Sequence, residues 1–194
     1  MMEERNYFAI GLSVEGKQAV VIGGGQLAEH RVRLLLDCKA RVAVVSPDLT
    51  AQLLRQVEAG AIKWTPRRYQ AGDLEGAALV LATTNRRQTN AAIYRDARAA
   101  GVLANIADDP PHCDFILPAV VRRGFVQLFI HTNGKLPALS GWMRRKLESL
   151  LPADLGERAA ELEPLRPIVA EAHPEMEQRR KVWNEILESR LPHF

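Results

Sequence analysis

The first place where residue type and spacing imply chemistry is Gly23-x-Gly25-x-x-Ala28, directly after the apolar run Gln18–Ile22. In this pattern the first glycine permits a tight turn and the second lets the backbone approach a pyrophosphate. The small residue at the sixth position lets helix and strand pack closely. A helix beginning here offers free N–H groups and the positive end of its dipole to phosphates. The glycine pattern is common in isolation, but a strand before it and an amphipathic helix after it make it a dinucleotide loop. An acid some way downstream, at the end of the second strand, accepts the ribose hydroxyls of NAD in such sites. Here that strand ends in Val45–Ser46–Pro47–Asp48, where Asp48 lies slightly late and Ser46 is an alternative hydroxyl partner. Arg41 is at the start of the strand, and its end carries no arginine for a 2′-phosphate, so NAD is expected rather than NADP. Thr83 and Thr84 follow a later buried strand at the same edge, where they either contact the ligand or make an ordinary turn.

Other clusters carry less. His112, Cys113 and Asp114 are metal-ligating types, but three adjacent residues do not converge readily on one ion and no second cluster completes a set. No metal is expected, and a structural role for the three is. Basic residues recur as Arg67–Arg68, Arg86–Arg87, Arg122–Arg123 and Arg144–Arg145–Lys146. Each is by default a solvated surface, and several together could form a basin for a small polyanion. The net charge of +3 is too small to argue for nucleic acid, and no recognition helix or basic surface interleaved with aromatics is visible.

The elements that must position these residues alternate. Gln18–Ile22 and Arg41–Val45 read as strands around the amphipathic helix QLAEHRVRLLLDC, followed by a helix over Leu49–Ala59 and a short strand Ile62–Trp64. Leu79–Thr83 is another buried strand, then a helix over Gln88–Ala100 ended by Gly101, then the strand Val102–Ile106. Such alternation predicts a Rossmann-type α/β fold with a parallel sheet. Beyond Cys113 the pattern changes. Phe115–Val121 and Phe125–Thr132, separated by Arg122–Arg123–Gly124, predict an antiparallel hairpin, and Ala138–Leu151 an amphipathic helix. The rest is charged and helical in propensity, interrupted by Pro164, Pro167 and Pro174; within it Trp183 and Phe194 are either core or interface. The expected division is an NAD-binding domain over 1–113, a dimerisation segment over 114–151 and a helical C-terminal domain over 152–194. Two strands are rarely stable alone, and a second copy of the hairpin is the simplest partner, so a homodimer is expected.

At 194 residues with 47% hydrophobic and 25% charged residues, the chain has room for one ordinary domain and an appendage. No apolar run approaches the roughly 20 residues that cross a bilayer. The opening MMEERNYFAIGLSVEGK lacks a continuous apolar stretch and does not read as a secretory signal. The two cysteines, Cys38 and Cys113, form no disulfide framework. A cytoplasmic protein with reduced thiols and no membrane partner is expected.

The run VVIGGGQLAEHRVRLLLDCKARVAVVSPD resembles the opening of the precorrin-2 dehydrogenase / sirohydrochlorin ferrochelatase family of siroheme synthesis. Three later segments, LVLATTNRRQTN, ANIADDPPHCDFILPAVVRRG and LPALSGWMRRKLESLLP, agree in order, so the resemblance covers about Gly11 to Pro152. The N-I-A-D-D-P-x-x-C-D-F stretch is its most specific part. The resemblance implies NAD-dependent oxidation of precorrin-2 to sirohydrochlorin; some members also insert ferrous iron into the product. A non-catalytic NAD-sensing module would share the phosphate loop but would not need that stretch.

The family's functional carboxylate falls on Asp108, which also follows a strand at the sheet edge where α/β proteins place their chemistry; a turn cap is the plain alternative for Asp108 or Asp109. The family's nucleotide contacts fall on Gln26 and Leu27 in the loop and on Pro47 and Asp48 after the second strand. The substrate is rimmed with acetates and propionates, which makes Arg122, Lys135, Arg144 and Arg145 candidate contacts. Two departures stand out. Relatives place a glycine where this chain has Lys39, and a Ser/Thr-x-Gly-Gly loop where it reads His131–Thr132–Asn133–Gly134–Lys135.

Overall fold

The computed structural model describes residues 7–191; the first six residues, Pro192, His193 and Phe194 lie outside the described residues. The chain divides into two compact units between Ile116 and Leu117.

In the first unit, β1 (Gln18–Ile22) is the middle strand of a five-stranded sheet. β2 (Arg41–Val45), β3 (Ile62–Thr65), β4 (Leu79–Ala82) and β5 (Leu103–Ile106) complete it in the order β3-β2-β1-β4-β5, with every pair parallel. A strand buried on both faces reads as a continuous apolar run, which is why QAVVI shows no polar alternation. Its side chains still alternate between two cores. Ala19 and Val21 pack with Ala28, Val32 and Leu35 of α1 (Gln26–Asp37) and Leu53 of α2 (Ala51–Glu58). Val20 and Ile22 pack with Ile93 and Ala97 of α3 (Arg87–Ala100). Each buried valine, leucine or isoleucine among them contributes about 1.5–3 kcal/mol.

Local chemistry sets the element ends. α2 begins at Ala51 rather than Leu49, because the Thr50 hydroxyl accepts the Leu53 N–H and caps the helix. Gly101 ends α3 at φ +67, as a left-handed terminator. Lys39, at φ +57, occupies the turn position where the family resemblance expects glycine. Its backbone therefore bears a left-handed conformation that glycine would adopt more readily. The β3–β4 connection contains no helix. Arg67 donates to both Asp73 oxygens at 2.8 and 2.6 Å, and the Tyr69 hydroxyl donates to Asp96 at 2.8 Å. Burial first, and then Asp96, push the Tyr69 hydroxyl pKa well above its ordinary value. Arg67 is thus a clamp within this connection, not part of an anion basin.

In the second unit β6 (Ala119–Arg123) and β7 (Val126–Ile130) pair antiparallel. Arg122 and Arg123 lie inside β6 rather than in the turn, which is the two residues Gly124–Phe125 with Gly124 at φ +55. A glycine of positive φ at the first position of a two-residue turn matches the right-handed strand twist. The pleat then separates the two arginines. Arg122 is exposed, on the face that carries Gln127 and Phe129. Arg123 turns inward with Val121, Leu128 and Ile130, toward α4 (Pro137–Leu150) and α5 (Leu155–Leu162). There it donates to the Glu148 carbonyl at 2.8 Å, the Pro152 carbonyl at 3.1 Å and the Leu151 carbonyl at 3.3 Å. Glu148 lies in the last turn of α4 and Leu151 is its C-cap, where a helix leaves carbonyls unpaired and a cation meets the negative end of the dipole; Pro152 follows just beyond. A Cβ on Gly156 would stand 2.5 Å from the Arg123 carbonyl carbon and oxygen, so hairpin and α5 meet backbone to backbone. α6 (Leu165–Ala172) and α7 (Met176–Arg190) follow, with Trp183 half-buried.

Arg123→Ala is expected to destabilise the protein by about 2 kcal/mol, by leaving helix-end carbonyls without a donor. Gly156→Ala should act in the same direction through overpacking, by about 1–3 kcal/mol. Arg122→Ala, one residue away on the exposed face, should change stability by less than about 0.5 kcal/mol. Urea melts of the three variants check this; equal loss at Arg122 and Arg123 would contradict it.

Candidate functional site

β1 leads through α1 to β2 on one side, and β4 leads through α3 to β5 on the other, so the connections diverge between two adjacent strands. At such a switch point the carboxyl ends of the strands open a crevice, and the loops that leave them line it.

The loop after β1 is held from two sides. Gly23, at φ +118, donates its N–H to the Val45 carbonyl at 3.0 Å. A Cβ there would come within 2.5 Å of the Thr83 hydroxyl oxygen. Thr83 is fixed in turn, its N–H and hydroxyl both donating to the Ile22 carbonyl at 2.8 and 3.1 Å. Gly24 is tighter still. A Cβ there would overlap the Asp48 carbonyl oxygen and stand 2.8 Å from the Ser46 hydroxyl, while the Gly24 carbonyl accepts the Thr50 N–H at 2.9 Å. Gly25 differs: its Cβ would meet nothing within 4 Å, and it starts α1 without any side-chain cap. The helix therefore leaves its first N–H groups for a ligand on the one open side of the loop. The standard motif assigns no role to Gly24; three consecutive glycines were the available signal.

Around this loop the sequence candidates sort themselves. Gln26 and Leu27 are exposed on the first turn of α1, and Ala28 is fully buried against the sheet. Pro47 and Asp48 are exposed beside the loop; the Asp48 backbone carbonyl crowds the space over Gly24, and its side chain is open to solvent. Ser46 is buried, and its carbonyl accepts the Trp64 indole N–H at 2.9 Å. Thr84 makes turn contacts. Its hydroxyl donates to Asn90 at 2.6 Å, while the Asn90 amide returns a bond to the Thr84 carbonyl at 3.0 Å.

Asp108 lies just past β5 at the same sheet edge, exposed, in a left-handed backbone at φ +58. The residues after it brace that turn. The Cys113 thiol donates to the Ile106 carbonyl and its sulfur accepts the Ile106 N–H, both at 3.2 Å. An Asp114 oxygen accepts the Ala104 N–H at 2.9 Å. Asp109 pairs with the His112 ring at 2.8 Å, and that ring meets Tyr94 of α3 edge-on. Among the described residues no three His, Cys, Asp or Glu side chains gather as a metal site, and His112, Cys113 and Asp114 face three different partners. Half-buried Arg31 of α1, which carried no motif signal, feels the charge of Asp108.

The four basic candidates all belong to the second unit. Arg122 is exposed on β6, Lys135 is exposed in the turn before α4, and Arg145 is exposed on α4. Arg144 pairs with Glu148 at 2.6 Å one helical turn away.

An uncapped helix N-terminus at a switch point, reached through a glycine turn with one open face, defines a dinucleotide-binding domain of the doubly wound class. Residues 10–119 match a family model described as putative NAD(P)-binding, and the chain belongs to that family. It is 39% identical over 182 residues to siroheme synthase 1 of Aeromonas salmonicida, covering 94% of this chain and 39% of that protein. It is 36% identical over 179 residues to a siroheme synthase of Pseudomonas aeruginosa, covering 92% of this chain and 38% of that one. The chain thus spans about two-fifths of the length of the curated relatives it matches. A solved structure titled SirC, precorrin-2 dehydrogenase, shares the fold with a TM-score of 0.75 at 21% identity, over 93% of this chain and 89% of that one. The resemblance drawn from the sequence agrees with these relatives. No helix among the described residues is long and apolar enough to cross a membrane.

The two crowded and open glycines should respond differently. Gly24→Ala is expected to lower thermal stability, because the Asp48 carbonyl and the Ser46 and Leu49 side chains leave no room for the methyl group. Gly25→Ala should melt normally and bind NAD about tenfold more weakly, since its methyl group enters the space the pyrophosphate uses. Melting curves with NAD titrations separate the two; interchangeable behaviour would contradict the geometry.

Proposed function

We propose that this chain catalyses the NAD-dependent oxidation of precorrin-2 to sirohydrochlorin in siroheme biosynthesis, with Asp108 as the proton acceptor. The observation that carries the reading is the placement of Asp108. It is an exposed carboxylate on the same carboxyl edge as the phosphate loop, held in a left-handed turn by a braced segment. Non-glycine residues held in this conformation cluster at functional sites. The siroheme synthase relatives supply the substrate class.

When bound, NAD supplies the acceptor for the hydride that leaves the macrocycle. The chain's own residues do the rest. The first N–H groups of α1 and the backbone at Gly25 hold the pyrophosphate, and Gln26 and Leu27 flank it. Asp48 with Pro47 receives the adenosine ribose, which favours NAD because no arginine stands at the end of β2. Thr83 supports the loop from below. Asp108 takes up a proton released as the ring system becomes more unsaturated, a contribution of about 10²–10⁴ in rate. Arg122, Lys135, Arg144 and Arg145 are proposed contacts for the acetates and propionates at the substrate rim.

The protein is proposed to act in the cytoplasm as a homodimer formed by the hairpin and α4. The only buried residue of α4 is Ser140, while Leu136 just before it, Leu139, Trp142, Met143 and Leu150 along it, and Phe125 and Phe129 of the hairpin, are exposed. The expected apolar stripe thus forms but does not face this chain's own core. Apolar surface of this extent on one small unit is what an interface with a second copy would cover.

Anaerobic incubation with precorrin-2 and NAD should yield NADH and the sirohydrochlorin spectrum. Asp108→Asn should bind NAD normally and lose at least about 100-fold in turnover. Native turnover that survives in the variant would remove the role of Asp108; NAD binding without any native turnover would overturn the reaction. Sedimentation should show a dimer at micromolar concentration that Trp142→Glu dissociates. A native monomer would refute the assembly.

A further inference from the structure

α1 has two edges flanking its buried face. On one, Glu29, Arg33 and Leu36 line a groove with Gln52, Leu53 and Gln56 of α2, and Glu29 accepts the Thr50 hydroxyl at 2.8 Å. α2 packs over β3, so this edge faces the β2–β3 side of the sheet. Arg31 lies roughly 140–160° around the helix from those residues, at about 3.6 residues per turn. It therefore borders the β4–β5 side. Long helical side chains lean toward the N-terminus of their helix, which here directs Arg31 toward the carboxyl edge of the sheet and the loop that carries Asp108.

Arg31 is half-buried. Burial pulls its pKa down, and the charge of Asp108 pushes it back up. The group stays protonated throughout. Among the described residues no side chain or carbonyl bonds its guanidinium, and no carboxylate lies within salt-bridge distance. The contrast with Arg67, Arg123 and Arg144, each with named acceptors, is direct. A half-buried guanidinium gives up hydration without gaining a partner, and that deficit is removed when an anion arrives. A polyanionic macrocycle approaching Asp108 meets a like charge, which a neighbouring cation offsets.

We infer that Arg31 is a carboxylate receptor of this site, binding one acetate or propionate of the tetrapyrrole beside Asp108. The inference rests on the proposed function and adds a substrate contact within the first unit. The planar guanidinium takes the carboxylate through two parallel N–H···O bonds, which a lysine ammonium cannot reproduce.

The test titrates sirohydrochlorin, without NAD, into native protein, Arg31→Met and Arg31→Lys at two salt concentrations, with NAD affinity and melting measured on the same preparations. Arg31→Met should bind sirohydrochlorin about 10–100-fold more weakly and with a flatter salt dependence. Arg31→Lys should recover part of the loss, and NAD affinity and melting should stay near native. Equal sirohydrochlorin affinity in native and Arg31→Met would overturn the inference alone, as would a loss confined to NAD, which would place Arg31 on the pyrophosphate. Failure of the native protein to bind sirohydrochlorin would overturn the functional reading and the inference with it.

Discussion

The first unit depends on one close approach, the passage of the Gly23–Gly25 backbone between Thr83 below and Ser46–Thr50 alongside. β1 must pair with β2 on one side and β4 on the other, so the chain leaving it has to turn in the narrow space between their ends. Gly23 turns at positive φ, and Gly24 sits where any Cβ would overlap the Asp48 carbonyl. The Thr50 N–H on the Gly24 carbonyl and the Glu29 carboxylate on the Thr50 hydroxyl then couple the loop to the starts of both α1 and α2. The packing that builds the loop leaves only its Gly25 side open. Access for the ligand is therefore a consequence of how the strands are ordered.

The second edge of the crevice is organised by different means. Between Asn105 and Phe115, side chains take over work that a backbone ladder does elsewhere. Cys113 satisfies both polar groups of Ile106, Asp114 takes the Ala104 N–H, and the Asn105 amide donates to the Phe115 carbonyl at 2.9 Å. A segment tied at this many points can hold Asp108 in a conformation that costs a non-glycine residue about 1–2 kcal/mol. This explains how residues with the chemistry of metal ligands serve to shape a turn.

In the second unit a two-stranded sheet gains stability from the helices on its inner face. The Arg123 guanidinium reaches the last carbonyls of α4 while the hairpin turn touches the backbone at Gly156, so strand, turn and two helices are fastened within a few residues. The outer face and much of α4 keep their apolar side chains exposed. Inner order and outer exposure belong together, because the pleat that sends Arg123 inward sends Arg122 and Phe129 outward.

Much of this is legible in the residues alone. Buried parallel strands announce themselves as apolar runs, and the glycine pattern marks the phosphate loop: Gly23 and Ala28 stand where larger residues do not fit, while Gly25 keeps the ligand side open. Gly101 ends α3, and Lys39 adopts the left-handed turn at the position where the family resemblance expects glycine, since the constraint is local. The resemblance around Asn105–Phe115 pointed to Asp108. Tertiary structure alone decided the rest. Adjacent arginines look alike in a string, yet Arg123 closes a helix end while Arg122 faces outward. Arg67 belongs to Asp73, Arg144 to Glu148, and Arg31, unremarkable in the sequence, is half-buried within the field of Asp108 and has no bonded partner among the described residues. The physical reason is that backbone conformation is written in neighbouring residues, whereas the partner of a charge depends on which distant segments the fold brings within a few ångströms.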